Sequence, residues 1–247
     1  MAINRAQLAK ELEPGLNALF GLEYARYENE AAQIFEQESS DRAFEEEVML
    51  VGFGQANVKA EGSAVGFDTA SESFTARYTH ETIALAFALT EEAVEDNLYD
   101  TLSARYTKAL ARSMAYTKQV RGADVLNTAF TTTGGDGVTL ANTAHPTALG
   151  GTWSNRSATD ADINETSLEQ AMIDIAGYID ERGLKISMQG KKLIIPVNIQ
   201  FVVDRVLNST LRVGTADNDI NAMKNMGMLS GGYTVNHYLT DTDAWFI

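Results

Sequence analysis

The chain has 247 residues, 45% of them hydrophobic, enough to bury a core in one large domain or two small ones. It has no cysteine, which excludes disulfides and thiolate metal sites and fits a cytosolic origin, and its three histidines supply little imidazole chemistry. Nineteen basic against 34 acidic residues give a net charge of −15, the reverse of what a protein built to grip nucleic acid needs.

The opening MAINRAQLAK lacks the apolar stretch of a signal segment, and no run of about eighteen apolar residues follows, so a soluble chain that does not span a membrane is expected. Residues 1–50 carry eleven acids against four bases, so nearly half of the acidic excess lies in the first fifth of the chain. Such charge runs are usually solvated segments; the sharper reading is a surface kept from sticking to nucleic acid nearby. In this segment EPGL, Glu13 to Leu16, is expected to break the chain. Leu19, Phe20, Leu22, Tyr24, Tyr27, Ile34 and Phe35 need a surface to pack on, either the main body or a neighbouring subunit.

VGFGQANVKAEGSAVGF, residues 51–67, places Gly52, Gly54, Gly62 and Gly66 around a single positive charge, Lys59. A phosphate loop follows a buried strand and opens into a helix, whose N-terminal N–H groups meet the anion. Here the glycines are followed by a strand pattern instead, with Phe74, Ala76 and Tyr78 alternating against Thr75, Arg77 and Thr79. Phe44 to Val51 is the natural partner strand, and the glycine segment then forms the tip of a long hairpin. From Ile83 the apolar phase flips to Ile83, Leu85, Phe87 and Leu89, which predicts a bulge or bend at 80–82 and a second strand beyond it.

Thr90 reads as an N-cap followed by Glu91, Glu92, Glu95 and Asp96, with Val94, Leu98, Leu102, Tyr106, Leu110 and Met114 recurring every four residues. Bases replace acids toward the far end, as the helix dipole favours, so a helix from about 91 to 122 or beyond is expected, roughly 45 to 50 Å long. Gly-, Thr- and Asn-rich loops or a small hairpin follow. A second helix opens at Asn164 or Thr166 and stops at Gly183; KKLIIP is a buried strand ended by Pro196; NIQFVVDRVLN is a helix capped by Asn198. RVGTADNDIN is a polar loop, and YTVNHYL with DAWFI reads as a closing hairpin around 240–243.

None of these segments assembles a catalytic set. Glu45, Glu46 and Glu47 are consecutive and read as a solvated strand edge rather than an acid/base pair. Asp217, Asn218, Asp219 and Asn221 offer oxygen atoms, but without the glycine and distal glutamate of a calcium loop they read as polar surface. His145 before Pro146, and His237 in an expected strand, read as structural hydrogen-bonding groups. Arg105, Lys108 and Arg112 share a helix face that could hold phosphate, though a salt-bridged face meeting the acidic arm is the better reading.

The runs LEPGLNALFGLEYARYENE, FEEEVMLVGFGQANVKAEG, ARYTHETIALAFALTEEAVEDNLYDTLSARYTKALARSMAYTKQ, KLIIPVNIQFV, RVGTADNDINAM and YLTDTDAWF resemble the Hong Kong 97-type major capsid proteins of tailed bacteriophages. The resemblance implies an α+β fold with an N-terminal arm at 1–40, an extended loop at 41–79, a peripheral domain at 80–139 carrying the spine helix, and an axial domain at 140–247. It implies a non-enzymatic structural subunit, without cofactor or metal, that self-assembles into pentamers and hexamers of an icosahedral head around double-stranded DNA contacted weakly. Scaffold, portal and decoration proteins are its further expected partners, and the virion, assembled in the bacterial cytoplasm, is its expected place. Gly52, Gly54, Lys59, Gly62 and Gly66 become candidate assembly residues of a loop that bends over neighbouring subunits. Members of the group usually continue past the position of Ile247, which implies a fragment of a longer protein. Some members also cross-link a lysine to an asparagine. No Asn and Glu partners are identifiable for Lys59, so that chemistry is not carried over. An encapsulin-like nanocompartment shell and a phosphate-binding α/β enzyme are the alternatives.

Overall fold

The computed structural model describes residues 9–88, 99–212 and 219–247, with side chains from residue 16 onward and from residue 103 in the long helix. The Thr90 cap, the acids at 91–96, Asp217 and Asn218 lie outside the described residues. The chain divides into two compact units, one built from Met1–Gln37 and Glu81–Ala123, the other from Glu38–His80 and Asp124–Ile247.

In the first unit α1, Ala9–Tyr24, runs through Pro14 and Gly15, where the sequence predicts a break. The proline φ near −65° is itself helical, so Pro14 forgoes one backbone bond without ending the helix. A short 3₁₀ turn, Glu30–Gln33, follows, capped by Asn29, whose side chain accepts from Ala32 N–H. The long helix α2, Tyr99–Asn127, passes straight through Gly122. Among the described residues its buried positions are Ser103, Thr107, Ala111, Ala115, Gln119, Ala123 and Leu126, not Tyr106, Leu110 and Met114 of the four-residue recurrence. Tyr106 is exposed, and Leu110 and Met114 are half-buried.

Small side chains on that stripe allow close approach. A Cβ added at Gly122 would lie 2.6 Å from the Ala31 Cβ. Gln119 fixes the same contact by polar means, accepting from Ala31 N–H at 3.2 Å and donating to the Asn29 Oδ1 at 3.1 Å. Residues 81–88 form no strand, contrary to the phase-flip reading, and Ile83, Leu85 and Phe87 remain partly exposed. Alternation alone does not make a strand without a partner to complete its hydrogen bonds. Phe87 instead lies 5.8 Å from the Tyr106 ring, and Glu81 pairs with Arg121 at 3.1 Å.

The second unit begins with the antiparallel hairpin β1, Phe44–Val51, and β2, Ser71–Thr79, the pairing read from the sequence. The ladder slips between Val48 and Leu50, which face Thr75 and Glu72, so the extra residue lies in β2 and the irregularity sits inside the hairpin rather than at 80–82. Two short strands follow, β3, His145–Pro146, and β4, Thr152–Trp153. Helix α3, Glu165–Ala176, is held by a reciprocal capping box between Asn164 and Ser167 and stops at Gly177, ahead of the expected Gly183. Ile179 already bridges Lys185 in an extended turn.

Strand β5, Leu193–Pro196, alternates buried Leu193 and Ile195 with half-buried Ile194, and ends at the proline as expected. A 3₁₀ turn, Val197–Ile199, then leads into α4, Gln200–Asn208; Asn198 lies inside the turn and caps nothing. Asn221 caps the short helix α5, Ala222–Asn225. β6, Tyr233–Asn236, pairs parallel with β5, while Ile194 bridges Phe246 in antiparallel fashion. The expected closing hairpin is therefore absent: its two halves bond to β5 rather than to each other. His237 falls in the turn after β6, where the buried Asn236 side chain accepts from Tyr238 N–H. Asn127 holds this turn from the other side, donating to the Tyr238 carbonyl and accepting from Thr240 N–H. Leu168, Met172, Leu193, Ile195, Val203, Val206 and Met223 form the core between α3, the strands and α4. Each such side chain fully removed from water contributes about 1.5–3 kcal/mol.

Candidate assembly interface

Between β1 and β2 the chain runs for 19 residues, 52–70, without regular structure except for a turn at 61–62. Gly62 makes that turn at φ 79°, a left-handed conformation that glycine adopts at little cost. Gly52, Gly54 and Gly66 do not need positive φ; Lys59 and all four glycines but Gly54 are exposed. The apolar side chains here face solvent, with Phe53 61% and Val65 65% exposed and Val58 and Phe67 fully so. The flanking hairpin adds Phe44, Val48, Leu50 and Tyr78 as exposed apolar groups. Monomeric soluble proteins rarely leave so much contiguous apolar surface uncovered.

The base of this loop is pinned. The Arg182 side chain, 16% exposed, donates from Nε to the Gly52 carbonyl at 2.9 Å, and from a terminal nitrogen to the Thr69 carbonyl at 2.6 Å and the Asp68 carboxylate at 3.0 Å. Asp68 in turn accepts from the Gly54 N–H at 2.8 Å and from its neighbour Thr69 N–H. These backbone donors, helped by Arg182, hold the Asp68 carboxyl below its ordinary pKa. One arginine thus ties both stems of the loop to the turn at 180–184, which Asp180 closes by accepting from Arg182 N–H and Leu184 N–H. Neither Asp68 nor Arg182 carries a local signal, since their partnership spans 114 residues.

The other candidate residues fall into structural roles. Glu46 pairs with Arg77 across the hairpin and Glu45 with Arg42, so the acidic triplet is divided among neighbours. His145 is buried, with Nδ1 2.6 Å from Asp136, Nε2 3.1 Å from the Asn155 Oδ1, and its ring stacked on Trp153 at 4.8 Å. Asn221, only 1% exposed, donates to the Val206 carbonyl and the Ser209 Oγ, which makes it a fastener rather than a ligand. His80 ends the hairpin, donating its backbone N–H to the Ala43 carbonyl. Lys108 lies 3.6 Å from Glu23 of α1; Arg105 and Arg112 are exposed. No group of three metal-binding side chains converges among the described residues, and no described helix is long and apolar enough to cross a membrane.

A mixed α+β chain with an exposed hairpin, a long helix and a compact unit around β5 and β6 has the Hong Kong 97-type fold of phage capsid subunits. Three solved assemblies share it. The procapsid chain of bacteriophage JBD30 matches at TM-score 0.63 with 14% identity, over 96% of this chain and 100% of that one. The JBD30 capsid chain matches at 0.59 with 10% identity, over 81% and 88%. The JBD30 capsid decorated with minor capsid protein trimers matches at 0.58 with 11% identity, over 81% and 87%. No curated protein matches the sequence. Residues 73–247 match the phage capsid protein family, and the chain belongs to that family. It is a structural protein of the virion, a subunit of the capsid shell and not an enzyme, which sets aside the phosphate-binding reading of the glycine loop and the nanocompartment alternative.

Proposed function

We propose that this chain is the major subunit of the icosahedral head of a tailed, double-stranded DNA phage, gathering into pentamers and hexamers, and that residues 52–70 are an intersubunit arm. In this reading 1–40 is the N-terminal arm, 41–79 the extended loop, 80–139 the peripheral domain with the spine helix, and 140–247 the axial domain. The observation that carries it is a loop with solvent-exposed Phe53, Val58, Val65 and Phe67 whose stems are nonetheless clamped by Arg182. A segment aimed by a fixed base but apolar along its length is suited to a neighbour's surface. Burial there returns about 25 cal/mol per Å2 of apolar area. Gly52, Gly54, Lys59, Gly62 and Gly66 are its assembly residues, with Gly62 setting the bend. Scaffold and portal proteins and decoration proteins, such as the minor capsid trimers on the JBD30 capsid, are the further partners proposed. Packaged DNA is touched weakly and in a salt-sensitive way, because the chain's net charge of −15 opposes phosphate. Assembly takes place in the bacterial cytoplasm.

Replacing residues 55–66 by a short turn, which spares the anchors at Gly52 and Gly54, tests this reading. Helix content by circular dichroism and thermal unfolding of the soluble subunit stay near wild type, while electron microscopy of the same sample shows no shells or fragile ones. Normal assembly of the shortened chain removes the arm role; failure to fold places the loop in the core.

A further inference from the structure

The first unit contains a cleft of about 540 Å3 between the end of α1 and α2, lined by Glu23, Arg26, Tyr27, Lys108, Arg112 and Tyr116. Glu23 forms its floor, 7% exposed, and is already shared between Arg26 at 2.9 Å and Lys108 at 3.6 Å. Three cations against one carboxylate leave the cleft with a surplus of two positive charges, in a chain whose net charge is −15. Arg112 is exposed and forms no ion pair with any described residue. Tyr27 at 40% and Tyr116 at 59% exposure give the cleft aromatic walls. A positive cleft with aromatic walls fits an acidic, extended segment that also brings an apolar side chain.

The chain carries such a segment. Residues 36–40 are irregular and exposed, and Glu36, Glu38 and Asp41 pair with no described base. Phe35 precedes them directly. We infer that the Arg26–Lys108–Arg112 cleft is a docking site for the acidic 35–41 segment of a second copy of this chain. The assignment rests on the capsid reading above and adds a charge-matched contact separate from the glycine loop. The protein's own surplus of acids makes a carboxylate the abundant occupant, and a segment with three unpaired carboxylates matches the unused Arg112. Opposed like charges at an interface suppress wrong docking, so reversal on one side is costly and reversal on both sides restores the match.

Arg112→Glu removes no ion pair of the fold, so the subunit keeps its helix content and melting temperature. Shell yield by sedimentation falls about tenfold with Arg112→Glu, and about as much with Glu36→Arg plus Glu38→Arg, while combining the three substitutions restores it. Because the chain has no cysteine, Arg112→Cys subunits mixed with Glu38→Cys subunits give disulfide-linked dimers on oxidation of assembled shells, and neither variant alone does. Wild-type yield from the reversed variants, or absence of the mixed dimer, overturns the assignment. Loss of yield without rescue also overturns it, and if fluorescent duplex DNA then binds wild type but not Arg112→Glu, the cleft is a phosphate site. Wild-type protein that forms no shells under the same conditions sinks the capsid reading itself, and the docking site with it; wild-type shells with indifferent variants sink the docking site alone.

Discussion

Arg182→Ala should free the glycine loop without unfolding the protein. The guanidinium makes three hydrogen bonds to the two loop stems, two of them to the Gly52 and Thr69 carbonyls, and the Arg182 side chain is 16% exposed. Charge-assisted bonds of this kind contribute about 1.5 kcal/mol each, and partial solvent access trims the pair of carbonyl bonds to roughly 2 kcal/mol. A difference of about 2 kcal/mol raises the population of the detached loop about thirtyfold. The core around Leu168, Leu193 and Ile195 shares no atom with this clamp, so the loss is local rather than global. Amide hydrogen exchange reads it directly: the Gly54 N–H, which donates to Asp68, exchanges about thirty times faster in the variant, while core amides in β5 keep their protection. Arg182→Lys keeps the charge but loses the planar fork, and should fall between wild type and alanine. Unchanged exchange at Gly54, or a matching loss of protection in β5, would refute the clamp.

The pH dependence of the same loop follows from Asp68, whose folded pKa lies below its ordinary value of about 3.9. A depressed carboxylate contributes stability that is fully present above the unfolded pKa and lost as pH falls through the folded one. Gly54 protection is thus flat from neutral pH to about pH 4 and declines below it, and Asp68→Asn abolishes that decline. In the first unit, Gly122→Ala forces a Cβ to 2.6 Å from that of Ala31 and costs about 1–3 kcal/mol by overpacking. It therefore loosens the Asn29–Gln119 contact, seen as faster exchange of Ala31 N–H, whereas an unchanged rate would show that the turn at Glu30–Gln33 shifts to make room.

The β1–β2 pairing was legible because period-two alternation on both sides of a glycine gap leaves little choice of partner. The long helix was legible in existence, but its buried face was not. Pattern reading favours large side chains such as Tyr106, Leu110 and Met114, whereas the buried positions include Ala111 and Ala115, and at Gly122 Ala31 approaches so closely that glycine is what fits. The two halves of the expected closing hairpin are apolar and adjacent, and nothing local reveals that each bonds to β5 instead. Asn198 and Asn221 show the same limit: both look like caps or ligands, and only the fold decides that the second is a buried cap and the first is neither. At the loop, the glycines and exposed apolar groups could be read from sequence, while the Arg182 clamp depends on a contact across 114 residues.

The central claim is self-assembly, and sedimentation velocity with electron microscopy on the purified chain, over a range of concentrations and with scaffold supplied, tests it most directly. Closed shells, or rings of capsomer size that grow with concentration, are the predicted result. A strictly monomeric species under every condition would contradict it.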